Sequence, residues 1–155
     1  MKRFVKSLPG PISYCNCVKA CSDIQVDHVI PEAYLKQKIP NNPRKLQKAL
    51  KDPHNMYSCC ENINQRKADK MLGKDFSTGQ NDPHLSRAAL YMNETYELDV
   101  EEDILHKWKV MNMEMEPWDF EYERSNKIKK RNGKGNKFVG SYPTKVNLLN
   151  GASFV

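Results

Sequence analysis

No stretch of this chain approaches the ~20 consecutive apolar residues that a membrane-crossing helix needs, so a membrane partner is not expected. Residues Met1 to Pro11 hold early basic residues but no continuous apolar segment, so no export signal is read there. An intracellular or particle-packaged location is therefore expected ahead of a secreted one. The five cysteines, Cys15, Cys17, Cys21, Cys59 and Cys60, lack the Cys-x-x-Cys spacing typical of zinc sites. An odd number leaves at least one thiol unpaired in a monomer; free thiols, a disulfide and a structural zinc stay open, in that order. There is no internal repeat and no clean linker. The length of 155 residues suits one domain, 1–155, with one modest core.

Acidic residues are missing from one long segment. Between Ser125 and Val155 there is no Asp or Glu, while Lys127, Lys129, Lys130, Arg131, Lys134, Lys137 and Lys145 are basic. Lys36, Lys38, Arg44, Lys45, Lys48 and Lys51 form an earlier basic run, and residues 94–123 between the two runs are mostly acidic. With a formal net charge of +6, this distribution favours a polyanion. Double-stranded DNA is the expected partner, RNA is a second candidate, and a monomer is expected. Arg44, Lys45, Arg66, Lys67, Lys129, Lys130 and Arg131 are the candidate nucleic-acid contacts.

Local patterning predicts an α+β fold. Gln25–Ile30 reads as a short strand ending at Pro31, and Asn55–Cys59 as a second. Residues 36–51 begin as a loop at Pro40, Asn41, Asn42 and Pro43, with one or two helical turns over Leu46–Lys51. Glu61–Leu72 reads as a helix stopped by Gly73. A helical half, 82–133, follows. Asp82 caps a helix with Leu85, Ala88, Ala89, Met92 and Tyr96 on one face; Asp99 caps a second with Ile104, Leu105, Trp108 and Met111. Pro117 opens a third, with Trp118, Tyr122 and Ile128 inward and Gly133 at its end. Residues 1–24 read as irregular, and 134–155 as an extended basic tail.

The stretch from Gln25 to Gly73 carries the chemistry. Hydrolysis of a phosphodiester requires a base for water and stabilisation of charge on the phosphorus and leaving oxygens. A histidine, titrating at roughly 6.5 when unperturbed, can take the proton. A divalent metal can hold the oxygens, and magnesium, which keeps several waters, needs only a few protein oxygens. Asp27 and His28 are adjacent at the end of the first strand, and Asn64 lies in the first turns of the following helix, where its amide oxygen can complete a metal site opposite Asp27. The order Asp-His, loop, His-Asn, helical Asn resembles the layout of a ββα-metal finger, the short hairpin plus helix (here expected over about 24–73) of HNH or His-Me finger nucleases.

Over residues 14 to 139 the chain resembles the bacterial endonuclease I family of non-specific DNases. Asp27, His28, Val29, Ile30 and Pro31 resemble its Glu-His-Val-x-Pro, and Asp52, His54, Asn55 and Met56 its Asp-x-His-Asn-Leu. Ile63 and Asn64 resemble the Val-Asn that opens its catalytic helix, and Lys67 falls where that family has an arginine. Arg87, Leu90, Tyr91 and Met92 are similar to its Ala-Arg-Thr-x-x-Tyr-Met. Trp118, Glu121, Arg124 and Ile128, then Gly135, Asn136, Lys137, Phe138 and Val139, resemble its C-terminal pattern, and Tyr14, Cys15, Asn16 and Cys17 its Tyr-Cys-Gly-Cys. The resemblance implies His28 as general base, Asp27 and Asn64 as ligands of Mg2+ (with Mn2+ or Ca2+ able to substitute), and Arg87 on the phosphate. It implies that Asn55 orients the finger or the base, and that products carry 5′-phosphates. Asp27 stands where the family usually has Glu. A site- or structure-selective HNH nuclease of recombination or DNA packaging, and a non-catalytic nucleic-acid-binding protein on the same scaffold, are the rival readings.

Overall fold

The computed structural model describes residues 1–10 and 23–141. Cys15, Cys17, Cys21 and the segment beyond Ser141 lie outside the described residues, and so do the expectations that fall on them. The chain runs α1 (Lys2–Ser7), β1 (Ile24–His28), α2 (Glu32–Lys38), α3 (Pro43–Leu50), a 3-10 turn (Pro53–Asn55), β2 (Met56–Cys60), α4 (Glu61–Lys67), α5 (Asp82–Tyr96), α6 (Glu102–Glu114), α7 (Asp119–Asn132) and α8 (Lys137–Gly140). It is an α+β fold, mainly helical, with β1 and β2 paired antiparallel. The register sets Ile24 opposite Cys60, Asp27 opposite Tyr57 and His28 opposite Met56.

Several local readings are corrected. Strand β1 stops at His28, and Val29 and Ile30 turn inward to the core, where both are buried. Residues 32–50 form two helices with a break between them. Glu32 and the pair Lys36/Lys38 place acid at the start and base at the end of α2, matching the helix dipole. Asn42 then caps α3 by accepting from Lys45 N at 3.0 Å, with Pro43 in the first turn. Helix α4 ends at Lys67, six residues before Gly73, because Ala68 adopts φ 46°. The cap of α5 is Asn81 and that of α6 is Glu101. On α7, Tyr122 is exposed and Trp118 half-buried; Glu121, Arg124 and Ile128 face inward. Residues 2–7 and 137–140 are helical where irregular chain was expected.

The core joins Val29, Ile30, Leu35 and Leu72 to Leu85, Ala88, Ala89 and Met92 of α5 and to Ile104 and Trp108 of α6. Trp108 is fully buried and donates from Nε1 to the Leu72 carbonyl at 2.8 Å, which fixes the chain just after α4. Cys59 is a buried free thiol, whereas Cys60, expected first as a free thiol, is disulfide-bonded and so cannot be a zinc ligand. No helix among the described residues is long and apolar enough to cross a membrane.

Candidate active site

Alternation along β1 sends Gln25 and Asp27 to one side and His28 to the other. Helix α4 follows β2 directly and packs on β1, and residues three apart on a helix share a face. The contacts follow from those two periods. Asn64 Nδ2 donates to Gln25 Oε1 at 2.8 Å, and Lys67 Nζ lies 2.8 Å from Asp27 Oδ2. Asp27 and Asn64 therefore lie on facing surfaces of β1 and α4. The Asn64 amide nitrogen is engaged by Gln25, and Oδ1 is the acceptor end of the same group.

On the other side of β1, His28 Nε2 is 2.9 Å from the carbonyl of Leu50, the last residue of α3. A carbonyl only accepts, so Nε2 carries the hydrogen and Nδ1 keeps the lone pair. The Leu50 carbonyl belongs to the last turn of α3, where helix acceptors lack backbone partners. Nδ1 faces Glu32, 3.7 Å from its Oε1, beyond direct hydrogen-bond reach. His28 and Asp27 are each partly accessible, with 16% of either side chain exposed.

Asn55 holds the chain just past His28. Its Oδ1 accepts from Ile30 N at 2.8 Å, its Nδ2 donates to Ile30 O at 3.0 Å, and its backbone carbonyl accepts from Val29 N at 2.8 Å. The helical half holds the turn that carries Asn55. Arg124 of α7 donates to the carbonyls of Pro53 and Met56 and stacks over the Tyr57 ring at 3.9 Å. Asp52 accepts from His54 N, Tyr91 Oη and Tyr96 Oη. Burial pushes the His54 imidazole below its ordinary range, against the opposing pull of the Lys134 carbonyl and Asp52. Burial, reinforced by Asp27, pushes the Cys59 thiol up to about 12, so this cysteine is a packing residue with little thiolate character.

Two expected contacts are corrected. Arg87 is 1% exposed, with Nε 2.6 Å and Nη2 2.8 Å from the Glu121 carboxylate. Its Nη1 donates to the carbonyls of Asn112 and Met115, both at 3.0 Å. Buried with these partners, the guanidinium clamps α5 to the end of α6 and to α7 and is withdrawn from the surface where a phosphate would bind. Lys67 is likewise 1% exposed and paired with Asp27, whereas its neighbour Arg66 is exposed.

The basic runs separate as well. An open cleft of about 1190 Å³ is lined by Arg44, Lys45, Lys48 and Lys51 of the α3 region and by Lys134 beyond α7. Lys51, which lines the cleft, directly follows Leu50 in the chain. Lys129, Lys130 and Arg131 are exposed but do not line this cleft, and Arg131 stacks over Phe4 at 4.5 Å.

Sequence reasoning missed Gln25, Glu32, the Leu50 carbonyl and the pairing of Lys67. Two of these had a signal. Gln25 lies two residues before Asp27 on a strand, and Lys67 lies three after Asn64 on a helix.

Among the described residues, no three His, Cys, Asp and Glu side chains converge as a metal site. Asp27 with the Asn64 amide is a smaller set of hard oxygen donors. That chemistry fits a magnesium-like ion, which takes few protein oxygens and retains waters. Lys67 engages one oxygen of Asp27, and the second oxygen belongs to the same partly accessible carboxylate. In comparisons with known proteins, no family model matches the chain and no curated protein sequence matches it.

Proposed function

We propose that this chain is a metal-dependent endonuclease built on a ββα-metal finger, hydrolysing DNA phosphodiesters with little sequence preference. The observation that carries this reading is the arrangement around β1. A histidine with its tautomer set by the Leu50 carbonyl directly follows, at the end of β1, a carboxylate that lies on the surface facing the Asn64 amide of α4.

In this reading His28 Nδ1 takes a proton from the attacking water, and Nε2–H keeps the ring oriented on Leu50 O. Asn55 fixes the backbone just after the base, so the ring cannot swing with a loose loop. Asp27 and the Asn64 amide oxygen would hold a magnesium ion, for which manganese or calcium can substitute. When bound, it supplies Lewis-acid stabilisation of the non-bridging and leaving oxygens. The cleft lined by Arg44, Lys45, Lys48, Lys51 and Lys134 holds the neighbouring phosphates by charge. Products carry a 5′-phosphate and a 3′-hydroxyl.

Digestion of supercoiled plasmid tests this reading. Nicking is expected with magnesium and is lost with EDTA and in Asp27→Ala. Nicking that survives EDTA, or an inert protein that still binds DNA in magnesium, contradicts it.

A further inference from the structure

We propose that Lys67 is a positioning residue that holds the Asp27 carboxylate with its own charge and thereby weakens divalent-cation binding at that carboxylate. The inference rests on the nuclease reading above. Its ammonium is 2.8 Å from Asp27 Oδ2 and donates to the His28 backbone carbonyl at 2.9 Å. It lies 5.9 Å from the centre of the Phe76 ring. One group thus ties together the backbone of the base and the side chain of the acid.

The placement is fixed by the fold. Lys67 is the last residue of α4, three positions after Asn64, and the chain turns away at once through Ala68. With 1% of its side chain exposed, the amine cannot rotate into water without opening the packing between α4 and β1. A lysine serving as a phosphate contact lies on the surface, as Arg66 does one residue earlier. Like charges a few ångströms apart in a partly buried site repel far more strongly than in bulk water. A cation arriving at Asp27 therefore meets a carboxylate already compensated by a tethered ammonium. Lys67 keeps Asp27 oriented and neutralised while no cation is bound, and it sets how much metal the site requires.

Manganese titration calorimetry on the full chain tests this, using the wild type, Lys67→Met, Lys67→Gln and Asp27→Ala. Lys67→Met removes the charge, and Lys67→Gln keeps a donor for the His28 carbonyl. Both variants are expected to bind Mn2+ at least ~10-fold more tightly than the wild type, because a nearby like charge is gone. Asp27→Ala is expected to lose binding. A purely structural lysine would leave affinity unchanged or lower it when replaced. That result, with Asp27→Ala still losing the ion, overturns the proposal and leaves the nuclease reading intact. No Mn2+ binding by any form overturns both. If the Lys67 variants do not fold, the wild type still reports. The Lys67 ammonium resonance is expected to shift during a Mg2+ titration, and a signal unmoved at saturation overturns the proposal.

Discussion

Arg87 and Lys67 look in sequence like cations available to a phosphate, yet both are buried against carboxylates, Glu121 and Asp27. Burial of a charge depends on a partner elsewhere in the chain. Glu121 is 34 positions from Arg87, and no local pattern announces the pairing. Removing one member of a buried pair strands the other, so Arg87→Met is expected to cost about 3–5 kcal/mol of stability. Denaturant titration checks this. Nuclease activity per folded molecule should survive in any variant that folds, and its selective loss would return Arg87 to the site. His84 supplies a pH test. Burial, then Arg87 and Arg124, lowers its pKa from 6.5 to about 3. The unfolded chain thus binds a proton that the native one refuses between these values. Stability from this group is complete above pH 6.5 and is lost as pH falls toward 3, with a slope of at most ~1.4 kcal/mol per pH unit. His54 is shifted the same way. Tyr57, Trp118 and Phe120 surround the His84 ring, so His84→Phe fits the aromatic setting. Its unfolding midpoint should fall less than the wild type's between pH 6.5 and 4; equal slopes would show that His84 is not the group responsible.

At the scale of elements, the order from β1 through α4 was readable because its punctuation is strong. Pro31 follows the strand, Asn42 and Pro43 open α3, and Asp52 with Pro53 opens the turn that carries Asn55. The two strands were located to within two residues. Helix α2 was missed because it is short, its ends are charged and only Leu35 is fully buried, leaving too little apolar period to read. The end of α4 was misplaced because Gly73 offers a natural stop, whereas the chain stops at Ala68, where a side chain disfavours φ 46°. Glycine tolerates that conformation, so Ala68→Gly is expected to stabilise the protein by about 0.5–1 kcal/mol. Thermal unfolding measures this, and a lower melting temperature would mean that the Ala68 methyl group packs usefully. Asp27, His28, Asn55 and Asn64 were all legible as candidates, since their spacing survives any small error in element ends. Their supporting contacts, Gln25 and the Leu50 carbonyl, were not, because they emerge only when strand, helix end and turn meet.

For the whole molecule, α5 and α7 buttress the turn that leads into the β1–β2 hairpin. Arg124, Asp52 and Lys134 hold the 3-10 turn between α3 and β2, and Asn55 passes that order to the chain after His28. Charge is gathered in one place, with α3, Lys51 and Lys134 lining one open cleft. Replacing Arg44, Lys48 and Lys51 by Ala should flatten the dependence of log K on log salt by ~0.9 per lost phosphate contact, similarly on unrelated DNA sequences. The triple change at Lys129, Lys130 and Arg131 should flatten it less. The reverse ranking would move the DNA path to the exposed side of α7. The central claim is that His28 is the base of a hydrolytic site. It is tested most directly by the rate of magnesium-dependent plasmid nicking for the wild type and His28→Ala at equal DNA occupancy. A drop of at least ~100-fold with DNA affinity preserved is predicted, as for loss of a general base. Equal nicking rates, or parallel loss of binding and turnover, would contradict it.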